Sequence, residues 1–143
     1  MTPDQIGLVE QSFGMIRPMK GQIAGLFYRR LFEIAPDARA LFHETNMTRQ
    51  SLRLMATLNL FVGLLRRPDD LAEAGRELAE RHAGYGVKPA DYAPFGDALM
   101  WTLSQCLGPA FDAETQAAWR AAYDAIARAM TGIDAASELR AAG

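Results

Sequence analysis

Apolar residues recur along most of the chain at intervals of three and four, the spacing of one face of an α-helix. Ile6, Val9, Phe13 and Ile16 form the first such stripe, and Thr2-Pro3-Asp4-Gln5 ahead of it supplies a cap, a proline at the first helical position and a glutamine placed for a capping box. Arg17-Pro18 stops this helix. A second helix from about Lys20 carries Ile23, Phe27 and Leu31, with Ala24, Tyr28 and Phe32 widening the stripe. Tyr28 sits at the edge of that face, so its ring is expected to be buried and its hydroxyl to need a partner. Ala35-Pro36-Asp37 breaks the pattern, since a proline opens a helix but does not sit inside one, and a short turn closes with Leu41-Phe42.

His43 to Thr48 reads as a polar connector, and a third helix starts from about Met47. Gln50, Leu54, Leu58 and Phe61 share one of its faces, which places a lone amide at the head of an apolar stripe. Arg66-Arg67-Pro68-Asp69-Asp70 ends this helix and caps the next. On that next helix Leu71, Gly75, Leu78 and His82 fall on one stripe, so His82 points inward, just before Gly84, Gly86 and Pro89. Beyond Pro89 a long helix runs through Tyr92, Phe95, Leu99, Leu103 and Leu107 to Gly108-Pro109. Asp112 caps a last helix with Trp119, Tyr123, Ile126, Met130 and Ile133 inside. Strict alternation is absent, so the spacing predicts an all-α protein with one domain over residues 1–143, fraying from about 134 to 143.

Bulk composition narrows the function. Of 143 residues half are apolar and 22% charged, with a formal net charge of -2, which gives no basic footprint for nucleic acid. The longest uninterrupted apolar run, Leu60 to Leu65, is far below the roughly 20 residues of a membrane span. MTPDQIGLVEQ at the start lacks the basic end and apolar run of a secretory signal, and the expectation is a cytoplasmic protein. A single cysteine, Cys106, cannot form a disulfide within the chain and removes cysteine-based zinc sites from consideration. His82 then has two readings: a core histidine hydrogen-bonded to a carbonyl, the general case for a buried polar group, or a ligand to a metal or haem iron.

Three segments, FYRRLFEIAPDARALF at 27 to 42, RQSLRLM at 49 to 55 and ERHAGYGVKPADY at 80 to 92, resemble the globins, specifically the single-domain bacterial globins and the haem domain of flavohaemoglobins. The resemblance extends from the first helix to about Ile133. It implies a globin fold, helices packed around a haem pocket, with haem b (iron protoporphyrin IX) held non-covalently. By position His82 is similar to the proximal iron ligand, and Phe42 to the phenylalanine that stacks on the haem. Tyr28 resembles the distal tyrosine, Gln50 and Leu54 the distal glutamine and its apolar neighbour, and Tyr92 the tyrosine that buttresses the proximal histidine.

A flat apolar disc needs apolar walls, for which Phe42, Leu54, Leu58, Leu78, Val87 and Phe95 are the candidates, and one axial nitrogen, for which His82 is. Bound O2 becomes partly anionic, so hydroxyl and amide donors at Tyr28 and Gln50 favour it over neutral CO. Arg53 is a candidate partner for a haem propionate, with an ordinary solvated arginine as the equal alternative; His43 is expected to be exposed. The resemblance implies O2, NO and CO as ligands, and NO dioxygenation with an external reductase, since the sequence carries no flavin or nicotinamide domain. O2 storage or delivery, gas sensing, and a haem-free interaction module are the alternatives, the last disfavoured because such a module has no use for distal donors. The expected state is a monomer or weak homodimer.

Two departures from the flavohaemoglobin pattern stand out. The glutamate that completes the proximal network there corresponds to Ala136 here, with Glu138 nearby on a different face, so peroxidase-like activity is not expected. The connector between Phe42 and Gln50 is also short, which makes the single-domain globins the nearer resemblance.

Overall fold

The computed structural model describes residues 1–42, 46–84 and 89–131, with no description of the side chains of 82–84 and 89. Among these residues there are six α-helices and no strand: α1 (Pro3–Ile16), α2 (Lys20–Ile34), α3 (Met47–Leu64), α4 (Pro68–Gly84), α5 (Tyr92–Leu107) and α6 (Ala113–Thr131). Short 3-10 segments join them at Arg17–Met19, Pro36–Phe42, Pro89–Asp91 and Gly108–Ala110. The all-α expectation therefore holds, and its helix boundaries follow from local chemistry.

The capping box on α1 is complete: the Gln5 N–H donates to Thr2 Oγ1 at 3.1 Å and the Thr2 N–H to Gln5 Oε1 at 3.0 Å. Asn46 caps α3 through the Arg49 N–H, and Asp112 caps α6 through the Thr115 N–H. These oxygens satisfy donors that a helix start leaves without a partner inside the helix. Asp69 and Asp70 place negative charge in the first turn of α4, where the helix dipole favours it. At the end of α5, Gly108 takes φ +55°, a left-handed conformation that suits only glycine comfortably, and turns the chain toward α6.

The main packing partners are α2 with α5, α4 with α6, and α1 with α6. Val9, Phe13, Ile23, Leu31, Leu103 and Trp119 are buried at their centre. Trp119 donates its indole N–H to Ser12 Oγ at 2.8 Å, and Ser12 donates in turn to the Leu8 carbonyl, so the one polar atom of this large ring has a partner inside the core. Two glycines let helices approach closely. A Cβ built on Gly75 of α4 would lie 2.5 Å from Ala129 Cβ and 2.9 Å from its carbonyl carbon, and one on Gly96 of α5 would lie 2.7 Å from the Tyr123 ring. No described helix is long and apolar enough to cross a membrane. Ile133, Ala136, Glu138 and the expected fraying tail lie outside the described residues, as does His43.

The glycine contacts make a paired prediction. Gly75→Ala forces α4 off α6, whose backbone cannot yield as a flexible side chain does, and is expected to cost about 1–3 kcal/mol. Gly25→Ala on α2, where an added Cβ meets nothing within 4 Å, is expected to add about 0.5–1 kcal/mol by helix propensity alone. Urea unfolding of both variants at constant slope reads the two opposite shifts in midpoint.

Candidate functional site

An apolar cleft lies between α3, α4, α5 and α6 and encloses about 820 Å³, its open mouth included. Leu54 and Leu58 of α3, Leu78 of α4, and Tyr92 and Phe95 of α5 line it, five of the residues singled out in the sequence. Its far wall, formed by Phe61 of α3 and Leu65 just after it with Trp119 and Ile126 of α6, was not among the candidate site residues. Those residues sit on the same helical stripes as the rest, so periodicity marks them as inward without separating a cavity wall from filled core.

The polar ends of two lining rings are tied up away from the walls. Trp119 is spent on Ser12, and the Tyr123 hydroxyl donates to the Tyr92 carbonyl at 2.5 Å, tying α6 to the first residue of α5. Burial pushes the Tyr123 phenol far above its ordinary value, and pushes Tyr92 up as well, with the carboxylate of Asp91 adding to the latter effect. Neutral phenols against apolar walls are the result.

Tyr28 and Phe42 belong to a second cluster that adjoins the cleft without lining it. The Tyr28 ring, 6% exposed, meets Phe27 edge-on at 5.0 Å between centroids and Phe42 at 5.3 Å, while Phe32 packs on Phe42 at 5.8 Å. Phe27 then joins this cluster to the cleft, since it lines the cleft and also packs on Phe95 at 6.5 Å. Gln50, half-buried one helical turn before Leu54, hydrogen-bonds the Tyr28 side chain. Burial raises the Tyr28 phenol above its ordinary value, and the bond from Gln50 draws it back part of the way. The two polar groups therefore meet, whereas Phe42 is turned toward Tyr28 and Phe32 rather than along the cleft wall.

Arg53 is exposed on α3. Position 82 falls in the last turn of α4, one turn beyond the cleft-lining Leu78, but its side chain lies outside the described residues, as does Val87. Among the described residues no three His, Cys, Asp or Glu side chains converge on one point. A cleft of apolar walls with a polar pair beside it suits a flat apolar group held mainly by contact.

The globin family model matches residues 25–130. Flavohemoproteins of Rhizobium meliloti (strain 1021) and Bacillus subtilis (strain 168) are 28% and 26% identical to 82% and 90% of the chain, respectively. The chain spans only 30% and 33% of those proteins' lengths. Among solved structures, an engineered carbene transferase, an inferred nitric oxide dioxygenase from Rhodothermus marinus, superposes with a TM-score of 0.82 at 26% identity, covering 100% of this chain and 99% of its own.

The buried phenols set an alkaline limit. Native values raised above the unfolded value near 10 mean that the unfolded state loses its phenolic protons first. The stability contributed by Tyr28, Tyr92 and Tyr123 is then fully present below pH about 10 and is lost as the pH climbs through the raised native values. Phenolate absorbance at 295 nm and helical circular dichroism followed together from pH 8 to 12 should change in step. Full ionisation of all tyrosines near pH 10 with the helices intact would contradict this.

Proposed function

The chain belongs to the globin family, and from that premise we propose that it binds haem b in the cleft between α3 and α4, with His82 as the axial ligand. The observation that carries this reading is the apolar cleft with a hydrogen-bonded Tyr28–Gln50 pair beside it. A haem held there supplies the iron chemistry of reversible O2, NO and CO binding, and of NO oxidation to nitrate by O2 with electrons from a reductase.

The residues divide that work. Leu54, Leu58, Leu78 and Phe95 offer apolar contact to the macrocycle's faces and keep water out. Arg53, exposed on α3, would pair with a propionate. Tyr92 is tied at its carbonyl to Tyr123, which fastens the start of α5 to α6. The Tyr28 hydroxyl would donate to a bound diatomic ligand that carries negative charge. Gln50 holds that hydroxyl in place and is the second donor. Because burial raises the phenol above its ordinary value, Tyr28 has a proton to donate at neutral pH.

The axial role has a direct test. His82→Gly protein should lose most of its haem, or the normal visible spectrum after dithionite and CO, while retaining its helices. Unchanged haem content and spectrum would remove His82 from the reading. The distal pair has its own. Tyr28→Phe keeps the packing and removes one charge-assisted donor, worth about 1–3 kcal/mol, so O2 dissociation should quicken roughly five- to a hundredfold while CO dissociation changes little. Gln50→Leu should act the same way more weakly. Because the two side chains bond each other, the double variant should differ from the sum of the single effects. Stopped-flow displacement of O2 by CO reads all four proteins, and an unaltered rate in Tyr28→Phe would sink the distal assignment.

A further inference from the structure

A second hollow, about 810 Å³ with its open mouth included, lies where the start of α1 and the corner between α3 and α4 meet α6. Ile6, Leu71 and Ala125 line it together with Arg66, whose guanidinium donates to the Glu10 carboxylate of α1 at 2.8 and 3.3 Å. One side chain, that of Leu65, lines this hollow and the apolar cleft as well. At that point a single leucine stands between the two spaces.

Leu54, Leu58, Phe61 and Leu65 all line the cleft. At ~1.5 Å per residue this stripe carries an apolar path ~16 Å along α3, from one turn after Gln50 to the corner. The opposite end of the path is packed with rings. Tyr28 meets Phe27 and Phe42 edge-on, and Phe32 lies against it at 6.2 Å. A molecule arriving from that side has to part three aromatic neighbours, whereas at the corner it has only Leu65 to pass. Leu65 is also loosely fastened. It follows the last residue of α3, and its N–H reaches the Val62 carbonyl only at 3.4 Å, beyond the usual range of such a bond. A helix end held in this way opens more easily than the helix interior.

We infer that Leu65 is a gate, and that the second hollow is the vestibule through which small uncharged gases pass between solvent and the inner end of the cleft. The inference rests on the haem reading of the cleft, which makes O2 and NO the gases admitted. Both are weakly hydrated, so an apolar path costs them little, while ions and water are held at the Arg66–Glu10 rim by the charge there. Apolar cavities in proteins stay dry and take up small apolar guests such as xenon. A gate is a barrier common to entry and escape. Obstructing it slows both by one factor and leaves affinity unchanged, which separates a gate from a wall residue that shapes the bound state.

Two measurements on the purified full chain test this. Methyl NMR under xenon pressure reads the path and needs no haem: xenon should shift the methyl resonances of Ile6 on the hollow side and of Val62 and Ile126 on the cleft side. Stopped-flow O2 kinetics and flash photolysis of the CO complex read the gate itself. Ala125 lines the hollow and not the cleft, so the ring of Ala125→Phe enters open space and circular dichroism should be unchanged. That variant should slow O2 association and dissociation about fivefold each at unchanged affinity, and should raise the share of CO that rebinds before it escapes. Leu65→Ala should quicken both O2 rates about fivefold. Xenon shifts absent or confined to one side of Leu65 would overturn the gate. Unaltered O2 rates in Ala125→Phe would do so too, as would a changed affinity there in place of paired rates. A chain that takes up no haem, with xenon shifts on both sides of Leu65, would remove the haem reading while the passage stood.

Discussion

The close approach of α4 to α6 at Gly75 governs the shape of everything around the cleft. An α-helix brought this near to another, with an added Cβ only 2.5 Å from Ala129 Cβ, is fixed in lateral position by backbone contact rather than by side chains that can repack. Since α4 is fastened to α6, it is not required to lie flat against α3. The space among α3, α4, α5 and α6 is what becomes the cleft, with Leu78 of α4 on its wall. Gly96 lets the Tyr123 ring of α6 lie directly on α5, which positions the far wall.

Around that frame the polar atoms are distributed with consistent logic. Trp119, Tyr123 and Tyr28 each present a ring to an apolar neighbourhood and send their single polar atom to a specific partner: Ser12, the Tyr92 carbonyl and Gln50. The first two bonds join helices and remove polar groups from the cleft. The third pair stays beside the cleft, and its burial keeps the phenol protonated, which is the state in which it can donate. The difference between a structural and a functional tyrosine in this chain is where its partner lies: Tyr123 spends its proton on a main-chain carbonyl, whereas Tyr28 meets an amide that has donors and acceptors to spare.

Helix boundaries were legible in the sequence because they are local. Thr2 with Gln5, Asp112 with Thr115, and Gly108 at its positive φ act within a few residues, and residue type alone announces them. The inward direction of Leu54, Leu58 and Leu78 was legible for the same reason, through spacing. What the stripe meets on its inward side was not. Phe61, Leu65 and Ile126 share the periodicity of ordinary core residues, and only the separation of α3 from α4 turns them into walls. Gly75 was visible as an inward position, but its need to be glycine depends on Ala129, more than fifty residues away. The Tyr123 bond to the Tyr92 carbonyl likewise joins residues with no local signature. Phe42 was placed by resemblance on a wall, while its ring packs with Tyr28 and Phe32, a detail set by the turn after Pro36.

The Trp119–Ser12 bond has a bearing on how such a pocket changes over generations. The same indole lines the cleft and fastens α1 to α6, so any enlargement from this side also unfastens two helices and leaves a buried hydroxyl or N–H without a partner. Substitutions there are punished through folding before they can be judged by ligand. Leu54 and Leu58 on the opposite side, half-buried and free of such polar attachments, carry no second duty of that kind. Drift in what the cleft admits should therefore accumulate on α3 while the α6 wall stays fixed, giving the pocket one adjustable side and one that descendants inherit unaltered.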